Sequence, residues 1–164
     1  MKALQPNSRD CFVCGVENPI GLKIRFYSTG HGKVEAEYVV PVHFQGYPGI
    51  VHGGIVASML DEITYRSLIS EDDQRMMFTA RLNIRYRKNV PVGKPLRLVG
   101  EAGKEKSRTA TAKGYIYGPK GDLLADAEAL LVNVPDDMVN REDLEQLGWK
   151  VYSDNEFESI TNSK

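Results

Sequence analysis

Hydrophobic and polar positions change their period several times along this chain, and the changes mark its elements. Leu22 to Tyr27 alternates apolar with polar, as a strand with one buried face does, and Val34 to Val40 alternates again. Gly30-His31-Gly32 lies between them, so the pair reads as a hairpin. After the Pro48-Gly49 turn signal the period becomes helical, with Ile55, Val56, Met59, Leu60 and Ile63 on one stripe. A helix is expected from about Gly53 to Ile69, ending before the polar run 70–74. Met77 to Arg87, Pro95 to Glu105, Thr109 to Tyr117 and Leu123 to Val134 then read as strands. Lys104 to Ser107 and Gly118 to Gly121 mark hairpin turns between the last three. A single apolar helix requires a sheet face to cover it, and an antiparallel sheet curled around that helix supplies one. The expected class is α+β, an antiparallel sheet wrapped around one long central helix.

The ends read differently. Residues 1–10 are polar and expected to be loose, at the start of a single domain over 1–134. Beyond Val134, Pro135-Asp136-Asp137 is expected to open a short helix through Leu144 and Leu147, its acids at the positive end of the helix dipole. From Ser153 onward the chain is polar and acidic, and a disordered tail is expected within 135–164.

Composition narrows the function classes. With 41% hydrophobic and 26% charged residues in 164, the chain has enough apolar material for one real core. A net charge of −1, its Lys and Arg scattered among acids, gives no basic face for nucleic acid. No apolar run approaches a membrane span and no signal peptide opens the sequence, so a cytoplasmic setting is expected.

The densest chemistry lies at the start of the central helix. His52-Gly53-Gly54 is followed by the apolar helix and by Asp61, about two turns further along. The first turn of a helix leaves N–H groups unpaired at its positive end, and glycines there let a ligand approach them. Such a place suits an oxygen that gains charge during acyl transfer. Asp61 shares a face with Gly54, Ala57, Ser58 and Tyr65, which suits a general base or nucleophile. The plainer reading is a turn followed by a solvated or salt-bridged carboxylate. Cys11 and Cys14 form a single C-x-x-C. The Asn18-Pro19 and Gly21 that follow argue against a thioredoxin-type helix, and zinc needs four ligands where this pair supplies two. A symmetric dimer could bring two pairs together, but reduced thiols packing the first turn are the expectation, with no metal site.

Three segments carry a resemblance. Gly46 to Asp61, Cys11-Phe-Val-Cys-Gly15 with Asn18-Pro19 and Gly21-Leu22, and Thr79 to Tyr86 with Pro91-Val-Gly93 together resemble hotdog-fold acyl-CoA thioesterases of the phenylacetate-degradation type. The resemblance spans about Cys11 to Val134. It implies a hotdog fold and hydrolysis of acyl-CoA thioesters to free acid and coenzyme A without a cofactor. Asp61 would then be the general base or nucleophile, the Gly53 N–H would polarise the carbonyl, His52 would organise the turn, and Thr79 would hold the attacking water. Gly54, Gln45, Arg85 and Lys88 would contact substrate, the last two at the phosphates. A solvated strand edge is the plainer reading of the cations. The side-chain amide of some members is replaced here by Gly46, with Gln45 next to it. The resemblance also implies a homodimer or homotetramer whose sites combine the glycine turn of one chain with the Asp of another. Alternatives are a non-hydrolytic acyl-CoA binding protein and a hydratase or dehydratase of the same fold. The dehydratases count an acid from the His before a Pro-Gly turn; from His43 that place is Ala57.

Overall fold

The computed structural model describes residues 2–69, 75–135, 137–139 and 141–162. Its strands are β1 (Ala3–Leu4), β2 (Tyr27–Gly30), β3 (Lys33–Val39), β4 (Gln45–Tyr47), β5 (Ile50–Val51), β6 (Met77–Tyr86), β7 (Pro95–Glu105), β8 (Thr109–Tyr117) and β9 (Leu123–Asn133). The helices are α1 (Gly53–Ile69), α2 (Arg141–Gln146) and α3 (Asp154–Asn162). Seven strands form one antiparallel sheet in the order β1-β2-β3-β7-β8-β9-β6, while β4 and β5 form a small ribbon ahead of α1. The sheet curls around α1, whose Val56, Met59, Leu60 and Ile63 are fully buried against it. The expected helix and the long strands are therefore present; the polar run 70–74 lies outside the described residues.

Small residues let the helix lie close. Gly100 on β7 faces Gly114 on β8 in register, and a Cβ built on either would press on α1, at the Ile63 and Leu60 carbonyl oxygens respectively. Ala112, Ala125, Ala127 and Ala129 continue this low floor across β8 and β9. Leu96, Leu98, Ile116 and Leu131 fill the space around it.

Three expectations change. The first ladder strand is Tyr27–Gly30, not Leu22 to Tyr27. Leu22, Ile24 and Phe26 are buried in alternation as expected, but the run bonds to the N-terminal segment. Leu22 and Ile24 donate to the Phe12 and Val13 carbonyls at 2.8 and 2.9 Å, and Lys23 takes φ 57°. Residues 3–8 are not loose: β1 pairs with β2, and the buried Asn7 amide donates to the Cys14 and Ile24 carbonyls at 2.7 and 3.0 Å. The Gln5 and Asn7 amide nitrogens donate to backbone carbonyls rather than to water, which a polarity pattern cannot distinguish. The end of the chain also docks. The short helix opens at Arg141 with Glu142 and Asp143 in its first turn, and α3 occupies much of the stretch expected to be disordered. Arg25 ties it down, pairing with Asp154 at 2.5 Å and lying over the Phe157 ring. No helix among the described residues is long and apolar enough to cross a membrane.

Candidate active site

The β4–β5 ribbon delivers the chain to α1, and its hydrogen bonds shape the helix entry. The His52 N–H donates to the Phe44 carbonyl at 2.9 Å, fixing that residue at the mouth of the helix. His52 Nδ1 accepts from the Gly54 N–H at 2.9 Å, so this ring nitrogen carries no proton. A Cβ on Gly46 would come within 3.2 Å of His52 Cα, so a side chain there would require the turn to give by a few tenths of an ångström. Gln45 beside it accepts from the Gly49 N–H at 3.1 Å and braces the turn.

These bonds separate the two glycines. The Gly54 N–H, expected to face substrate, is already engaged by His52. The Gly53 N–H has no acceptor among the described residues and is exposed. On its other side the Gly53 carbonyl accepts from the Tyr86 hydroxyl at 3.0 Å. Gly53 is thus held through its carbonyl while its own N–H is left without an internal acceptor.

Asp61 lies half-buried further along α1, with the Thr79 side chain of β6 beside it. Burial raises its carboxyl above the ordinary carboxylate value; the neighbouring Thr79 hydroxyl opposes the rise and the nearby Glu62 charge adds to it. Thr79 reaches Asp61 because β6 has an irregular register between Thr79 and Arg81. Thr79 pairs with the buried Leu131, and Leu82, Ile84 and Tyr86 pair with Ala129, Ala127 and Ala125. All four therefore face α1, although Thr79 and Tyr86 are an odd number of residues apart. The extra residue of a bulge produces that change of phase.

The same register sends Arg81, Asn83 and Arg85 to the outer face of the sheet. Arg85 therefore does not share a surface with Asp61 within one chain. Lys88 pairs with Asp122 at 3.0 Å, and Arg87 pairs with Asp126. Within one chain the structure therefore brings Asp61 to Thr79 and the Gly53 turn to His52 and Tyr86, whereas Arg85 faces the other side of the sheet. Tyr86 was not among the expected site residues; its signal was its place at the end of a strand whose phase only the bulge reveals. Glu62 also has an unforeseen task, receiving Arg66 Nε at 2.8 Å. Arg66 is fully buried between the Phe26 and Trp149 rings, 4.6 and 4.8 Å away.

Residues 48–125 match the family profile of the thioesterase superfamily. Acyl-coenzyme A thioesterase THEM4 of Mus musculus is 35% identical over 95 residues, which is 56% of this chain and 39% of that protein. The chain thus spans about two fifths of the length of the curated relatives it matches. A solved thioesterase superfamily protein aligns with TM-score 0.69 and 30% identity, over 76% of this chain and 60% of its own. A Streptococcus mutans protein solved with acetyl CoA aligns with TM-score 0.62 and 21% identity, over 68% of this chain and 88% of its own; that likeness concerns the fold. Residues 48–125 thus match the thioesterase superfamily, within a sheet wrapped on one helix that is similar to that solved superfamily protein.

Proposed function

We propose that this protein hydrolyses acyl-CoA thioesters, with Asp61 and the Gly53 N–H acting on one thioester carbonyl. The observation that carries the reading is the Asp61 carboxylate, half-buried beside the Thr79 hydroxyl with its proton affinity raised. A carboxylate whose value moves toward neutrality is a better general base at working pH than an ordinary one. Asp61 either takes a proton from water as its oxygen attacks the carbonyl, or attacks that carbon itself. In the first case the proton taken by Asp61 passes to the departing sulfur as the C–S bond breaks. In the second the C–S bond breaks to leave a mixed anhydride on Asp61, which water then hydrolyses to free acid and carboxylate while supplying the proton of the coenzyme A thiol. The oxygen that gains charge is received by the Gly53 N–H. Thr79 holds the carboxylate or its water in place, and His52 and Tyr86 hold the glycine turn.

One chain does not complete this site. Gly53 and Asp61 belong to the same helix, eight positions and so about 12 Å apart along its axis. One carbonyl cannot meet both. A second copy, packed antiparallel over the Gly54, Ala57, Ser58 and Asp61 side of α1, brings its glycine turn to this Asp61. The long edge strand β6, with its exposed Phe78 and Tyr86, is a surface that such a copy would cover. The reading therefore includes a homodimer, or a tetramer of two dimers, working in the cytoplasm with two equivalent composite sites per dimer.

A panel of acyl-CoA thioesters with a free-thiol readout tests the activity. Asp61→Asn keeps the shape and removes the base, so the best substrate should turn over on the order of a hundredfold more slowly while the protein stays folded. Parental turnover by Asp61→Asn would end the assignment. Tight binding without turnover by the wild type would favour an acyl-CoA carrier instead.

A further inference from the structure

Next to Asp61 on α1, Glu62 points about 100° around the helix from it, toward the N-terminal segment. Cys11-Phe-Val-Cys14-Gly15 forms a tight turn there, the Gly15 N–H donating to the Cys11 carbonyl at 2.8 Å. The turn also directs two backbone N–H groups at Cys11 Sγ, from Val13 at 3.3 Å and Cys14 at 3.4 Å. Amides donated to sulfur stabilise negative charge on it, which a thiol packed only as an apolar filler does not require. Cys11 Sγ, Cys14 Sγ and a Glu62 carboxylate oxygen all lie within 4.8 Å of one another. Among the described residues no other three His, Cys, Asp or Glu side chains converge in this way.

We propose that Cys11, Cys14 and Glu62 bind a zinc ion, with water in the fourth position. Around tetrahedral zinc, thiolate and carboxylate donors sit roughly 3.6 to 3.8 Å apart, so the existing triangle need close by only about 1 Å. Two thiolates with a carboxylate select zinc over magnesium or calcium, which prefer oxygen alone. The charges also balance: two thiolates, the Glu62 carboxylate and the Arg66 guanidinium leave two negative charges, which Zn²⁺ cancels. Arg66 occupies one side of that carboxylate at 2.8 Å and leaves the other oxygen for the metal. A buried cation that fixes the orientation of a ligating carboxylate is the outer-shell support metal sites use. Cys11 is half-exposed, which provides a route for the ion and for its water, while Cys14 is buried. Binding writes as two thiols plus Zn²⁺ giving the dithiolate complex and two protons, with no change of oxidation state. Its consequence is to fasten the segment that covers Phe26 and Arg66 to α1. The proposal is independent of the thioesterase reading, because nothing in it touches substrate.

The test uses the full chain, purified reduced and stripped of metal. Titration with zinc against a chromophoric chelator should show about one ion per chain, bound below micromolar, with two protons released. Cobalt(II) in its place should show the near-ultraviolet thiolate-to-cobalt charge-transfer band and the intense visible bands of tetrahedral coordination. Cys11→Ser and Cys14→Ser should each weaken binding on the order of a hundredfold and bleach the charge-transfer band. Glu62→Gln alone would strand Arg66, so the carboxylate is tested with Arg66→Met beside it; the visible bands should weaken while the charge-transfer band persists. Failure of the reduced wild type to take up zinc at micromolar concentration would overturn the proposal, as would cobalt bound without a thiolate band. A reduced chain that ignores metal but closes a Cys11–Cys14 disulfide with a small-molecule disulfide would do the same, and would assign the pair to redox chemistry. Each readout concerns metal, so failure here leaves the hydrolysis reading untouched, and loss of hydrolysis leaves this one untouched.

Discussion

Gly100 is a point of very close approach between the sheet and the central helix, so Gly100→Ala should damage stability and activity together. The added Cβ would lie 2.7 Å from Val34 Cγ1 and 3.1 Å from the Ile63 carbonyl carbon, and closer still to that carbonyl's oxygen. A helix backbone oxygen cannot rotate aside, so α1 must lift by about 1 Å, an overpacking that costs on the order of 1–3 kcal/mol. Replacing a strand glycine returns roughly 0.5–1 kcal/mol through the unfolded state, leaving a net loss of about 1 kcal/mol at mid-range and up to about 2.5 kcal/mol. For a chain of this size that is a fall in Tm of roughly 2–8 °C. Asp61 rides on the same helix two positions before Ile63, so lifting α1 also moves it away from Thr79. A displacement of about 1 Å at a reacting group can cost up to a hundredfold in rate. The assay pairs thermal unfolding by circular dichroism with thiol release from the best acyl-CoA, at one protein concentration. Gly114→Ala is the comparison: its Cβ would meet the Ile63 and Thr64 methyls at 3.0 Å, side-chain atoms that can shift. It should cost less on both measures. A Gly100→Ala protein with parental Tm and rate would show that α1 is not seated on this pair of glycines. A larger loss at Gly114 would invert the order the contacts predict.

Tyr86→Phe removes the hydroxyl that holds the Gly53 carbonyl; because that carbonyl can turn to water, stability should fall by only about 0.5–1.5 kcal/mol. The effect should appear in kcat rather than KM, by roughly threefold to tenfold, and an unchanged kcat would remove Tyr86 from the site. Asp61 also links activity to stability. Its folded-state value is raised, so between the ordinary carboxylate value and the raised one the folded protein holds the extra proton, and stability falls as pH rises through that window. Asp61→Asn abolishes that dependence and should unfold at higher urea than the parent at neutral pH, with the gap closing on acidification. A variant less stable than the parent at pH 7 would mean that burial is not what raises the carboxyl.

Much of the fold was legible because period and punctuation agree over long elements. The helix bounds follow from the Pro48-Gly49 turn and the stripe from Ile55 to Ile63, and β7 and β8 are bounded by their turns. The ends were not legible, because Asn7, Arg25 and Trp149 act through distant partners that no local pattern contains. Gln5 and Asn7 read as solvent-facing yet are buried on backbone carbonyls. At the site, His52, Gly53, Asp61 and Thr79 stood out by spacing and resemblance. The bond from Gly54 to His52 did not, since it depends on a ring orientation. Arg85 was expected at a pocket mouth, and only the register of β6 with β9 sends it to the outer face. Nothing local in the sequence marks Glu62, because the burial of its partner Arg66 is a tertiary fact.

The central claim is that Asp61 of one copy and Gly53 of another serve one thioester, and mixing two inactive variants tests it directly. Asp61→Asn removes the carboxylate; Gly53→Leu fills the approach to the N–H, where a Cβ itself meets only Tyr86 at 3.7 Å and so leaves the turn able to form. In a mixed dimer one composite site receives both defects and the other receives neither. Random equal mixing makes half the dimers mixed, each with one good site of two, so roughly a quarter of the wild-type rate should return. Exchange of subunits is followed separately with tagged chains. Recovery near a quarter with complete exchange is the predicted result. Complete exchange with activity no higher than the separate variants would contradict the composite site, because Asp61 and Gly53 would then not meet between copies.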